Sequence, residues 1–337
     1  MNDIVNETVN EEEVLVETET QAESTENAEN AGTLVAGVMH EQDIQKVSTK
    51  QKVMKILVQV GLYLFLGIMA FIVVFPFYWM LISSVKSLPE YELMTPTLFP
   101  KEFHFENYAR AFKAGGDAGL GKLFLNTTYV GLVSTFLSLI ITVLSAFAFA
   151  RLEFKGKNTL FAFLLATMMI PGELFTITNF QTVRDFGWTD FDTYGFTVLI
   201  VPFLVSVFYI YLLKQNFMQV PNELYLAAKV DGTSDLKYLW KVMIPLALPT
   251  LISITILKMM GAWNTYMWPK LVTNDDAYKL ITNGLRDMNF GEDGNATHID
   301  YPMQMAAVTM VSIPLFMVFI FLRKYIMKGV SRSGIKG

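Results

Sequence analysis

Four stretches of this chain, residues 56–85, 123–150, 193–213 and 301–322, contain no Asp, Glu, Lys or Arg. Each exceeds the ~18 apolar residues that already suggest a helix crossing a bilayer, where the backbone must satisfy its own hydrogen bonds. Two more runs, 158–183 and 242–269, carry one charge each, Glu173 and Lys258. Six crossing helices fit these runs and leave little for a soluble domain. With 53% hydrophobic and 17% charged residues, the composition points the same way. The expected fold class is an all-α, integral membrane protein.

Charge is distributed unevenly. Residues 1–45 hold 12 acidic residues and no Lys or Arg, leaving 26 Lys and Arg against 19 Asp and Glu for the rest. That segment has no aromatic residue and reads as a disordered acidic tail ahead of a membrane domain over 46–337. It lacks the basic and short apolar regions of a cleavable signal peptide, so the first span is expected both to target and to remain. Lys and Arg crowd four regions: 46–55, 151–157, 214–241 and the C-terminal tail from Arg323. The positive-inside rule then places both termini and the loop 214–241 on the cytoplasmic side. The placement leaves five positive residues, Lys86 to Lys122, outside. There is no cysteine, and the three histidines are scattered, so no metal site is expected.

The polar gap between the fourth and fifth spans carries the densest pattern, ELYLAAKVDGTSDLKYLWKVMIP over 223–245. Pro221, Asn222 and Glu223 suit a helix start, with the asparagine and the acid facing its free N–H groups. Ala227 and Ala228 leave room for another surface to come close. Asp231-Gly232 supplies a turn, since glycine accepts positive φ. A second short helix is expected from Asp235 to Trp240, with Pro245 beginning the return to the membrane. The spacing resembles the cytoplasmic coupling motif of ABC-importer permeases: Glu-Ala-Ala, three residues, Gly, nine residues, Ile, any residue, Leu-Pro. Leu226 stands at the glutamate position, and Val242 and Ile244 replace the closing Ile and Leu.

Two further segments narrow the resemblance. Trp263-Asn264 followed by Pro269 resembles a signature of carbohydrate-importer permeases of the maltose type. The ending with Gly329, Gly334, Lys336 and Gly337 resembles that family's basic, glycine-containing C-terminus, with Ile335 for a valine. The resemblance runs from about residue 56 to the last. It implies six spans with a cytoplasmic coupling hairpin between spans four and five, and a transport subunit that is not itself an enzyme. It also implies a heterodimer with a second related permease, two ATPase subunits and an extracytoplasmic solute-binding protein, in the cytoplasmic membrane of a bacterium or archaeon. ATP and Mg would be used by the ATPase subunits; this chain would bind no cofactor and no nucleic acid, only lipid and its partners. Glu223, Ala227, Ala228, Asp231, Gly232 and Pro245 would be the coupling residues, and a sugar or oligosaccharide the cargo.

Other readings compete. The segment from Gly116 to Leu123 nearly matches a phosphate-binding loop, but Leu123 replaces the hydroxyl that would hold magnesium. Glu173 and Lys258 are candidates for the pathway, because charges at membrane depth are costly and usually face a cavity or partner. Glu173, after Pro171-Gly172, equally suits the end of a span. A stand-alone secondary transporter would favour paired intramembrane charges, of which there are only these two. A permease for glycerol phosphate, amino acids or polyamines is the nearer alternative.

Overall fold

The computed structural model of the protein describes residues 49–114, 119–288, 290–291 and 299–331. The acidic tail 1–45, residues 116–118 of the loop-like glycine segment, and Gly334, Lys336 and Gly337 lie outside the described residues. The chain divides into two compact units, residues 1–74 and 75–337. The described part of the first is the opening of helix α1, Thr49–Ser84. From Val53 to Val74 its large apolar side chains are exposed on all sides. A helix apolar all round requires apolar surroundings.

The second unit runs in order through α2 (Leu88–Tyr91), α3 (Glu106–Lys113), α4 (Leu120–Arg151), α5 (Lys157–Thr167), α6 (Thr176–Asp185), α7 (Phe191–Tyr194) and α8 (Thr197–Ile200). It continues with α9 (Val207–Met218), α10 (Asn222–Val230), α11 (Asp235–Tyr238), α12 (Ile244–Asn264), α13 (Met267–Val272), α14 (Ile281–Asp287) and α15 (Tyr301–Ser331). Among the described residues there is no strand, only one isolated bridge between Gly291 and Ile299.

Four described helices are long and apolar enough to cross a membrane: Val53–Ser84, Leu120–Arg151, Asp235–Asn264 and Tyr301–Phe321. The two remaining runs expected as single helices are broken. Lys157–Thr167 and Gly172–Asp185 meet at 86°, and Thr197–Phe203 and Val207–Met218 at 45°. Proline accounts for both breaks. Pro171 precedes one, and Pro202 sits in a 3-10 turn at the other, each lacking the N–H that would carry the ladder onward.

Helix α4 is the central post, packed against α9, α12 and α14. Its buried face carries Thr127, Gly131, Thr135, Ser138, Thr142 and Ala146, a small residue at every turn. Small side chains let helices approach closely where no hydrophobic force distinguishes protein from lipid. At Gly131 a β-carbon would lie 3.2 Å from the Met259 sulfur of α12. The lower post joins α9, α11 and α12 through a core of Phe147, Leu213, Phe217, Tyr238 and Met243. Its opposite end joins α6, α7, α8 and α13 through Val130, Val183, Phe191 and Trp268.

Candidate functional site: a helical hairpin and a cavity at opposite ends of α12

The polar gap folds as a hairpin of two short helices. Pro221, with φ −54°, stands just before α10 and Asn222 is its first residue. The expected side-chain cap does not form, because the Asn222 Oδ1 atom accepts instead from Arg151 Nη1 at 3.1 Å. Glu223 lies in the first turn and Lys229 in the last, the charges that suit each helix end. Beyond α10, Gly232 adopts φ +70°, while the Thr233 N–H donates to Ala228 O at 2.9 Å and the Asp231 N–H to Ala227 O at 3.0 Å. These bonds close the helix end in the way a left-handed glycine permits. Ser234 then caps α11 through Oγ, which accepts from the Lys237 N–H.

One carboxylate ties the two helices together. Asp235 accepts from the Tyr225 hydroxyl and from Lys229 Nζ, each at 2.7 Å. Asp235 holds the Lys229 ammonium above its ordinary lysine range, and burial together with Asp235 pushes the Tyr225 phenol up. The Tyr225 ring stands 5.2 Å from Tyr238 and 6.5 Å from Phe147, so an aromatic column runs from the hairpin into α4. Ala228 packs toward that core. Ala227 is exposed, and so are Leu224, Leu226, Val230, Leu236 and Trp240 around it. Leu226, where the motif carries glutamate, thus adds apolar surface rather than a buried contact.

The strongest tie was invisible as such in the sequence, where Arg151 counted only as a loop charge. Its side chain is buried, and Nη2 donates to Phe217 O at 2.9 Å and to Val220 O, while Nη1 reaches Asn222. It therefore holds the Phe217 carbonyl of α9, the Val220 carbonyl of the link after it and the first residue of α10 against the end of α4. The return to the membrane also differs from expectation. The second helix does not stop at Trp240 but runs on into the long helix that carries Pro245. The helical path is continuous from Asp235 to Asn264, with a π turn at Leu239–Met243 and Pro245 in the first turn of α12. The wider turn relieves the clash a proline ring makes with the carbonyl four residues before it.

At the other end of α12 lies a cavity of about 330 Å³. Its walls come from α4 (Val130, Ser134), the broken segment 199–209, α12 (Lys258, Gly261, Ala262) and α13 (Trp268, Pro269). Lys258, half-buried, donates from Nζ to Phe203 O at 2.7 Å, a carbonyl in the proline turn. Trp268 is fixed by its Nε1, which donates to Val198 O at 2.9 Å. Glu173 is exposed in the break after α5 and does not line this cavity, so the two pathway candidates are not brought together.

The Trp263-Asn264 and Pro269 signature is divided as well. Trp263 turns away, packing 5.7 Å from Phe124 and donating to Val311 O of α15 at 3.3 Å. Asn264 donates back to Met260 O at 2.8 Å, and Pro269 borders the cavity. Gly329 lies within α15. Gly121 and Lys122 belong to the first turn of α4. Among the described residues no group of three or more His, Cys, Asp or Glu could hold a metal. Ser206, Tyr209 and Thr265 complete the cavity and were missed by sequence reading. The one signal in this stretch that could have found them is Pro202, which interrupts a helix.

Residues 138–332 match the family of binding-protein-dependent transport system inner membrane components. The chain is 28% identical over 283 residues to the arabinooligosaccharides transport system permease protein AraQ of Bacillus subtilis (strain 168), covering 83% of this chain and 96% of that one. It is 29% identical over 262 residues to the diacetylchitobiose uptake system permease protein NgcG of Streptomyces coelicolor, covering 78% and 84%. A chain in the crystal structure of a bacterial ABC transporter involved in import of the acidic polysaccharide alginate superposes with a TM-score of 0.71. That match is 25% identical, covering 82% of this chain and 98% of that one.

Proposed function

This chain belongs to the family of binding-protein-dependent transport system inner membrane components, and from that premise we propose that it is the half-channel that couples ATP-driven motion to the passage of a sugar or oligosaccharide. It is a membrane permease subunit of an ABC-type importer and carries out no chemistry of its own. The sugar assignment draws on the arabinooligosaccharide and diacetylchitobiose relatives. Six spans follow if each bent helix pair is counted as one crossing.

The observation that carries the coupling role is the hairpin α10–α11. It exposes Ala227 among apolar side chains while Arg151 and Asp235 hold its shape from behind. In this reading, ATPase subunits seat on that surface from the cytoplasm, using ATP and Mg that this chain does not bind. Their closure pushes α10 and α11, and the continuous path from Asp235 to Asn264 carries the displacement to the cavity end. A second permease completes the pathway, two ATPase subunits drive it, and an extracytoplasmic binding protein delivers the solute. Both termini lie in the cytoplasm.

Purification of the tagged chain from its native membrane in a mild detergent tests the reading. Recovery of a second permease, an ATPase and a binding protein is the expected result. Recovery of this chain alone, still able to move solute without ATP, would replace it with a stand-alone transporter.

A further inference from the structure

The cavity beside Lys258 holds a cation with no anion. None of the residues that line it is acidic. The ammonium has three donors, and among the described residues it meets Phe203 O alone. An ammonium held in an apolar, protein-lined space without a counter-charge is costly, and such groups ordinarily face what they bind. The carbonyl of Phe203 does not neutralise the charge. It fixes where the ammonium sits, because the helix breaks between Phe203 and Val207 and leaves that carbonyl outside the ladder.

The rest of the wall suits a hydroxylated ring. Phe203 and Trp268 stand edge to face at 5.5 Å, and the indole is locked by its bond to Val198. Tyr209, Ser206 and Thr265 add hydroxyls around the same space. Aromatic walls with a few fixed polar groups are the usual make-up of a small-molecule site. Here the single charge decides which small molecule.

Resting on the importer reading above, we propose that this cavity is a solute subsite for an anionic saccharide or polyol, with Lys258 pairing the solute's carboxylate or phosphate. The two anions share the chemistry that an ammonium recognises, and transport distinguishes them. A neutral oligosaccharide would leave the lysine without a counter-charge throughout passage.

The test uses the whole importer, with its partner permease, ATPase and binding protein, in proteoliposomes. ATP-dependent uptake is measured for galacturonate oligomers, neutral galactose oligomers of the same length and sn-glycerol 3-phosphate, alongside the solute that mass spectrometry finds on the co-purified binding protein. Uptake of a carboxylate-bearing saccharide supports the proposal from one source and uptake of a phosphate-bearing solute from the other. In Lys258→Met the KM for that solute should rise by ~30-fold, the scale of losing a hydrogen bond to a charged group. Lys258→Arg should restore it to within ~3-fold, whereas a lysine that only braces the turn at Phe203 would lower the yield of complex and leave KM alone.

Should Lys258→Met fail to assemble, competition on the unsubstituted importer decides. Anionic oligomers must then block labelled uptake better than neutral oligomers of equal length. Transport of neutral sugars alone, or an unchanged KM in Lys258→Met, overturns the anionic subsite while sparing the importer. Absence of any ATP-dependent uptake overturns both.

Discussion

Around the start of α12, polar groups are spent on each other: Arg151 on Phe217, Val220 and Asn222, and Asp235 on Tyr225 and Lys229. Around its end, Lys258 meets a single carbonyl and the walls stand apart around about 330 Å³. The contrast separates two mechanical needs. In the importer proposed above, the end that receives a push must not deform, so its charged side chains are fixed by hydrogen bonds and its aromatic rings pack tilted and edge to face. A segment that admits a solute must leave both space and unsatisfied polar capacity. One helix serves both because its path is unbroken between them.

The difference can be attacked first at the packed end. Arg151→Ala should cost about 3 kcal/mol or more, since hydrogen bonds to a charged group contribute about 1.5–3 kcal/mol each and two carbonyls are left bare. Thermal unfolding of the purified complex would show it. Arg151→Lys should recover only part of the loss, because an ammonium cannot reproduce the planar fork. A tolerated Arg151→Ala would mean the hairpin end is not held as described.

Gly284 sharpens the comparison from the other side, because the cavity end has tight walls around its open centre. A β-carbon at Gly284 of α14 would overlap the Leu123 side chain of α4. Gly284→Ala should therefore cost about 1–3 kcal/mol through overpacking, read as a lowered unfolding temperature. Gly232→Ala acts at the hairpin turn, where φ is +70° and a β-carbon meets nothing within 4 Å. The penalty there is backbone strain alone, about 1–2 kcal/mol. Gly232→Asn should cost less, and solute-stimulated ATP hydrolysis should fall in step with the strain.

The smallest effect is expected in the loop that frames the cavity end. Burial alone would raise the Asp287 carboxyl, but Lys270 at 2.9 Å and Lys279 at 2.8 Å outweigh it and hold it below the usual carboxylate range. With the folded value depressed, the contribution is fully present above the unfolded value near pH ~4 and is lost as pH falls through the folded one. Asp287→Asn should remove that acid-side step and cost about 1 kcal/mol or less at neutral pH. Acid titration of the two proteins side by side, followed by near-ultraviolet circular dichroism, measures it.

Several of these features could be read before any fold was seen. Apolar runs announced where helices run, because an uncharged stretch of that length has few other places to be stable. The spacing of Ala227, Ala228 and Gly232 announced a hairpin, because a left-handed turn needs a residue such as glycine and the short helices on either side need their caps. The bends were half legible. Pro171 and Pro202 were visible, but the angles of 86° and 45° depend on what each half packs against. Pro245 does stand in the first turn of α12, but the π turn that joins it to α11 could not be read from the sequence.

The chain's own order of residues thus determined that it lives in a membrane, where its apolar runs lie and where two short helices turn at Gly232. Those properties follow from local hydrophobicity and local backbone geometry. What Arg151 and Lys258 do was decided by the tertiary structure alone. Their partners lie far off in sequence, 66 residues away at Phe217 and 55 residues away at Phe203. A charge becomes a clamp or an open binding group according to which carbonyls the packing of α4, α9 and α12 brings within reach, and no local pattern encodes that distance.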